Sequence, residues 1–158
     1  MKQKEGEHPY GDTGQLICLG IFAAVWVADS FFLHLSTFLA AYVPLFVRLI
    51  ILGMMLAAAI YLAQSGHRVT GHERRPEGVV ATGAFRYVRH PLYLASILAY
   101  LGMAVSTLSL LSIGVFAGVF VFYDRIARYE EHLLEAKFGD DYRQYMKMTG
   151  KWVPKLTK

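Results

Sequence analysis

The 158-residue chain holds one cysteine, Cys18, and only 18% of its residues are Asp, Glu, Lys or Arg. A lone cysteine excludes a disulfide framework within the chain, and its place inside an apolar block reads as a small packed hydrophobe. The net charge of +4 is gathered at segment ends and in one loop. That is the distribution of membrane flanks, not of a nucleic-acid face, so no nucleic-acid partner is expected. No small-residue cleavage pattern follows the first apolar block, which therefore reads as a retained helix and not a removed secretory signal. There is no internal repeat and no low-complexity segment.

What the chain has is hydrophobicity, 55% of its residues, collected into long blocks. Several approach the ~20 residues needed to cross a bilayer, which identifies an integral membrane protein. Residues 1–13 form a polar tail with a His8-Pro9-Tyr10-Gly11 turn signal. Residues 14–35 make a first span and residues 44–64 a second, opened by Pro44. An ionised group inside a span costs ~2.5–3.5 kcal/mol on insertion scales. Asp29 and Arg48 are accordingly expected to pair with each other or to snorkel to water.

Residues 65–91 form a long polar connection with Arg68, Arg74, Arg75, Arg86 and Arg89, which the positive-inside rule places in the cytoplasm. His67 and His72 have only Glu73 and Glu77 near them and no cysteine, so they read as solvated loop histidines and no metal site is expected. From Leu92 to Tyr123 the chain is apolar for 32 residues, interrupted by Ser106-Thr107 and Ser109. One straight helix of that length would overshoot a ~30 Å hydrocarbon layer. A helical hairpin turning at 106–109 fits, packed closely through Gly102, Gly114 and Gly118. The second arm runs on through Glu130 and Glu131 to Phe138, with Gly139 as its stop, and residues 140–158 suit an interfacial tail.

The stretch with chemical content is Gly78-Val79-Val80-Ala81-Thr82-Gly83-Ala84-Phe85-Arg86-Tyr87-Val88-Arg89-His90-Pro91-Leu92-Tyr93. Pro91 fits the first helical position, which puts His90 at a helix entrance where backbone N–H groups and the dipole favour an anion. Because the hairpin returns the chain to the same face, His90 and Tyr93 meet Arg125, Arg128, Glu130 and Glu131 from about forty residues away. Alone, a Glu-Glu pair reads as a solvated helix face and a His-Pro as a plain helix start. Together, a carboxylate can accept from both ribose hydroxyls, aromatics such as Phe85 and Tyr87 can cover an adenine, and the helix start can take an amino-acid carboxylate. The combination suits S-adenosylmethionine.

Thr82-Gly83, then Arg89-His90-Pro91-Leu92-Tyr93, an apolar hairpin, Glu130-Glu131, Phe138-Gly139, Tyr142 and Tyr145 follow one another in an order that resembles the isoprenylcysteine carboxyl methyltransferase and phospholipid methyltransferase superfamily. The resemblance covers about residues 77–146. It implies an all-α integral membrane bundle of about four transmembrane helices, with a short C-terminal hairpin and a cytosolic C-terminal helix. The chain is then one domain, with two N-terminal spans in 1–64 and the loop, hairpin and C-terminal helix in 65–158. The implied cofactor is S-adenosylmethionine, touching Glu77, Gly78, Val79, Val80, Phe85, His90, Pro91, Leu92, Tyr93 and Glu130. Arg125, Arg128 and Glu131 are the candidate catalytic residues, facing an acceptor that is lipophilic or small. Two departures from the family stand out: Phe85 replaces a usual Tyr, and Ile126 stands where the family has an acceptor-binding Arg.

The chemistry implied is in-line transfer of a methyl group to a carboxylate, thiol or amine, driven by positioning and water exclusion. Two other readings share the scaffold. One is a reductase using a nicotinamide cofactor, although the membrane sterol reductases that look similar have additional spans. The other is a non-enzymatic module whose basic loop binds anionic lipid.

Overall fold

A computed structural model describes residues 11–70 and 78–155. Helix α1 (Gly11–Val27) runs on into a wider π-type turn over Ala28–Leu33, and a short 3₁₀ turn covers Phe38–Ala41. Then come α2 (Leu45–Thr70), a 3₁₀ turn at Gly83–Arg86, α3 (Pro91–Thr107), α4 (Leu110–Phe138) and α5 (Asp140–Met148). The fold is an all-helical integral membrane bundle.

Local sequence sets the helix ends. The Pro44 carbonyl accepts from the N–H groups of Val47 and Arg48 and so closes the first turn of α2. Pro91 opens α3 at the position where a missing N–H costs nothing. The turn between α3 and α4 is two residues long: Leu108 takes the left-handed conformation (φ 52°), and the Ser109 side chain caps α4 by accepting from Ser112 N–H at 3.1 Å. Gly139, at φ 56°, ends α4, a backbone conformation that glycine adopts without strain.

Gly11–Leu33, Leu45–Val69 and Leu110–Phe138 are long and apolar enough to cross a membrane. At 17 residues α3 is shorter, about 26 Å at 1.5 Å per residue. It is packed against α2 along its length and against α4 across the hairpin, while α1 lies chiefly on α4. Phe22, Ile97, Tyr100, Ala104, Val119 and Tyr123 form the core where α1, α3 and α4 meet. The outer faces expose Leu16, Ile17, Phe46, Ile50, Met54 and Ile60, the surface expected of helices bathed in lipid. Lipid is as apolar as leucine, so the helices are held by close packing and hydrogen bonds instead of by water exclusion.

Several boundaries depart from the sequence reading. Helix α2 continues to Thr70, six residues beyond the expected 64, because Gly66 lets it lie against α3: a methyl group there would come within 2.7 Å of Leu92. His67 thus sits in the last turn of α2 and not in a loop, while His72 lies outside the described residues. Of the three glycines expected to close the hairpin, Gly102 instead meets Leu52 and Met55 of α2, and Gly114 and Gly118 face open space. Residues 1–10 of the expected tail lie outside the described residues, and the helix already begins at Gly11.

Asp29 and Arg48 do not pair with each other. Asp29 is 1% exposed and accepts from the Ser36 N–H at 3.0 Å and from the Ser36 and Ser109 hydroxyls at 2.5 Å each. Arg48 donates to the carbonyls of Val43 (3.1 Å) and Ser106 (2.7 Å). Beside them Ser30 bonds Thr107 at 2.8 Å and Trp26 bonds the Met103 carbonyl at 3.0 Å. Short hydroxyl side chains reach the carboxylate where the longer guanidinium is already engaged by carbonyls, so the end of α1 is fastened to the α3–α4 turn. Replacing Asp29 by Ala leaves three donors without their acceptor. The expected outcome is a thermal unfolding midpoint lowered by roughly 5 °C or more, while a variant melting within 1 °C of the parent, about the scatter of such a scan, shows that Asp29 does not fasten this end.

Candidate active site

The loop after α2 is held on two sides. Gly83, at φ 59°, turns the chain so that the Ala84 N–H donates to Ser65 Oγ of α2 at 2.9 Å. On the other side the Phe85 carbonyl accepts from the Tyr145 hydroxyl of α5 at 2.7 Å. Val88 pairs with Gly150 in a single parallel bridge, and the Arg89 N–H donates to the Gly150 carbonyl at 2.9 Å. Residues 140–152 pack onto this loop: Tyr142 and Tyr145 are buried, and the segment straps the loop against α4.

At the centre stands Glu131. Its Oε1 accepts from Arg89 Nε at 2.7 Å and from His90 Nε2 at 3.1 Å. Arg89 Nη1 also donates to the Thr149 carbonyl at 2.6 Å, which ties the strap to the same carboxylate. With Nε2 donating to Glu131, His90 Nδ1 carries the lone pair. It lies 3.8 Å from Glu130 Oε2, and the Tyr93 hydroxyl donates to Glu130 Oε1 at 2.6 Å. Tyr93 stacks on the His90 ring with centroids 5.7 Å apart and planes within 3°. Trp152 lies 5.8 Å from the same ring. The Trp152 indole and the Lys151 ammonium both donate to Asp124 Oδ1, at 3.1 and 2.6 Å, and Arg128 pairs with the other oxygen of Asp124.

His90 is 7% exposed, and burial pushes its pKa below the ordinary histidine range. The Glu131 carboxylate pulls it upward, while Lys151 and Arg89 add to the depression. The imidazole is neutral at pH 7. Burial likewise raises Tyr145, to about 12, and Tyr142, so both remain protonated hydrogen-bond donors.

The structure brings His90, Tyr93, Glu130 and Glu131 into one cluster. Pro91 is buried at the start of α3, and Leu92 packs towards Gly66 of α2. Phe85 is half-buried at the loop's turn, Val79 and Val80 are half-buried before it, Gly78 is exposed, and Glu77 lies outside the described residues. Arg125 and Arg128 are exposed and are not brought to His90. The buried side of α4 carries Tyr123, Ile126 and Ala127 instead. Sequence reasoning missed Trp152, Lys151 and Asp124 as parts of the site, and it gave Arg89 of the motif no partner. For Tyr142 and Tyr145 a signal existed, since three-residue spacing puts both rings on one face of α5, where they lie 5.8 Å apart.

The family profile described as phospholipid methyltransferase matches residues 43–141. Among curated proteins, methanethiol S-methyltransferase 1 of Bradyrhizobium diazoefficiens is 33% identical over 92 residues, 56% of this chain and 32% of that protein. A cobalt-zinc-cadmium resistance protein of Cupriavidus metallidurans is 31% identical over 85 residues, 53% of this chain and 39% of that one. The chain spans about a third to two fifths of the length of these relatives. Among solved structures, the eukaryotic intramembrane Ras methyltransferase, isoprenylcysteine carboxyl methyltransferase, superposes with a TM-score of 0.67 over 91% of this chain and 53% of that one, at 18% identity. The two share a fold. With the family profile running from the start of α2 past the Glu130–Glu131 pair and into α5, the chain belongs to the phospholipid methyltransferase family.

Proposed function

We propose that this protein is an S-adenosylmethionine-dependent membrane methyltransferase acting on a lipophilic or small acceptor. The observation that carries the reading is the position of His90 and Glu130, 3.8 Å apart at the entrance of α3. His90 Nδ1 and Glu130 Oε2 both accept hydrogen bonds, so the pair suits a ligand that presents donors, such as a ribose hydroxyl or an α-ammonium. The first turn of α3 adds outward backbone N–H groups for a carboxylate, and the rings of Tyr93 and Trp152 add flat apolar cover. That donor set and those walls fit S-adenosylmethionine. Bound there, the cofactor supplies an electrophilic methyl group on a sulfonium.

The chain's own residues position and exclude water. Glu131 and Arg89 are positioning residues, since they orient His90 and clamp the strap instead of meeting the ligand. Tyr93 fixes the rotamer of Glu130 through its 2.6 Å bond. The Bradyrhizobium relative, a methanethiol S-methyltransferase, favours a thiol acceptor. A thiol reacts as its thiolate once its proton has left to water at the site's polar mouth, so the chain need not supply a base. The bond from the acceptor sulfur to the methyl carbon forms as the methyl–sulfonium bond breaks, and the electron pair stays with the cofactor's sulfur. Both ends of the described chain lie at the face that carries Arg86, Arg89 and Lys151, and we assign that face to the cytoplasm.

Titration calorimetry tests the cofactor. S-adenosylmethionine or its demethylated product is expected to bind with micromolar affinity, weakened at least tenfold, about 1.4 kcal/mol, by His90→Ala and by Glu130→Ala. Heat that is absent with both ligands, or unchanged in both variants, removes the reading.

A second expectation concerns pH. His90 is depressed in the folded protein, so the unfolded chain binds the extra proton first as pH falls below about 6.5. Folding stability is therefore retained above that value and declines below it. The drop in melting midpoint between pH 7.5 and 5.5 should shrink in His90→Gln, and an equal drop in the two proteins contradicts the assignment.

A further inference from the structure

A cavity of about 450 Å³ lies between α1, α3 and α4 and opens to one side. Its lining includes Tyr123, whose ring meets that of Tyr93 in the candidate active site. On α3, Tyr93, Ser96 and Tyr100 recur at intervals of three and four residues and so share one helix face, leading from the His90 cluster into the cavity wall. On α4, Tyr123 lines the cavity and lies edge-on to Tyr93 with ring centroids 5.4 Å apart, and Glu130 stands two turns further along the same face. Tyr123 is thus a wall common to both spaces, and its hydroxyl meets those of Ser96 and Tyr100.

The charge pattern of this space is one-sided. Asp12 and Gln15 in the first turns of α1 line it together with apolar groups such as Ala99 and Met103. No Lys, Arg or His lines it among the described residues. Along the buried face of α4 between Tyr123 and Glu130 stand Ile126 and Ala127, both without charge. A carboxylate or phosphate entering here loses its water, meets Asp12 and finds no cation among the described lining residues to replace the hydration, which is costly for an ion. An uncharged molecule that already partitions into lipid faces no such penalty. The hydroxyls of Ser96, Tyr100 and Tyr123 offer it donors and acceptors at the inner end.

We propose that this cavity is the acceptor site, and that it admits an uncharged, membrane-partitioning acceptor of the alkyl thiol type while rejecting carboxylates of the same length. The inference rests on the methyltransferase reading and adds the route and charge selection of the second substrate.

Labelling tests the site without cofactor or turnover. In full-length protein reconstituted in lipid nanodiscs, with Cys18→Ser removing the native thiol, Ser96→Cys provides a single reporter for N-ethylmaleimide. A hexyl methyl thioether, which stands in for the methylated product and does not react with the reagent, should slow labelling at least fivefold, and hexanoate should leave the rate within a factor of two. Equal protection by the two compounds overturns the charge selection. Absence of protection by the thioether overturns the site.

Turnover gives an independent arm. Ala99→Trp, which fills the cavity, should raise the KM for hexanethiol at least tenfold with the calorimetric Kd for S-adenosylmethionine within twofold of the parent. An unchanged KM in a folded Ala99→Trp protein places the acceptor elsewhere. Because the labelling arm contains no cofactor, its outcome stands apart from failure of the methyltransferase reading, which the calorimetry reports.

Discussion

A single carboxylate oxygen, Glu131 Oε1, receives both the guanidinium of Arg89 and the imidazole of His90. Three consequences follow from that shared acceptor. It sets the histidine tautomer, so that the lone pair of Nδ1 faces Glu130. It neutralises an arginine whose side chain is only 11% exposed, an ion that would otherwise cost several kcal/mol to desolvate. It also turns Arg89 so that Nη1 reaches the Thr149 carbonyl, drawing the chain beyond α5 onto the loop. The geometry of the ligand cluster and the closure of the polar end are therefore one electrostatic arrangement.

The parts of this architecture that could be read from residues alone are those with local causes. Apolar block length marks the spans, Pro91 marks the start of α3, and Ser109 and Gly139 mark the ends of α4. The approach of His90 to Glu130 was legible because a hairpin between them has only one simple way of returning the chain to its starting face. What was not legible depends on contacts between segments with no local signature. Ser65, Gly66 and His67 look like the beginning of a loop, yet they extend α2, since Gly66 permits contact with Leu92 and Ser65 Oγ is needed to hold Ala84. Lys151 and Trp152 look like surface anchors, but both are spent on Asp124. Asp29 and Arg48 invited pairing by opposite charge, and hydroxyl and carbonyl groups answered each of them separately.

Polar bonding is concentrated at the two ends of the bundle. Asp29, Ser36 and Ser109 fasten one end, and Glu131, Arg89 and His90 fasten the other. In lipid this is where hydrogen bonds can hold helices without placing unsatisfied groups in hydrocarbon. The stretch between the ends is held by ring contacts, such as Phe22 on Tyr100 at 4.8 Å. Helix α1 leans mainly on α4, and its far end bonds α3 through Trp26 and Ser30; the cavity opens on the α1–α3 side.

That division of labour suits sulfonium chemistry. Transfer from a cation to an anionic sulfur removes two charges, so an environment of low polarity raises the energy of the separated reactants more than that of the transition state. A site built wholly of ion pairs would forfeit the advantage, and one built wholly of hydrocarbon could not hold a nucleotide. Here the ion pairs around Glu131 lie near Tyr93 and the cavity, whose charged lining residue is Asp12, lies against Tyr123, with the two rings 5.4 Å apart. Under the proposed function, methyl transfer is assigned to that boundary, with the charged ligand held on one side and the acceptor entering from the other.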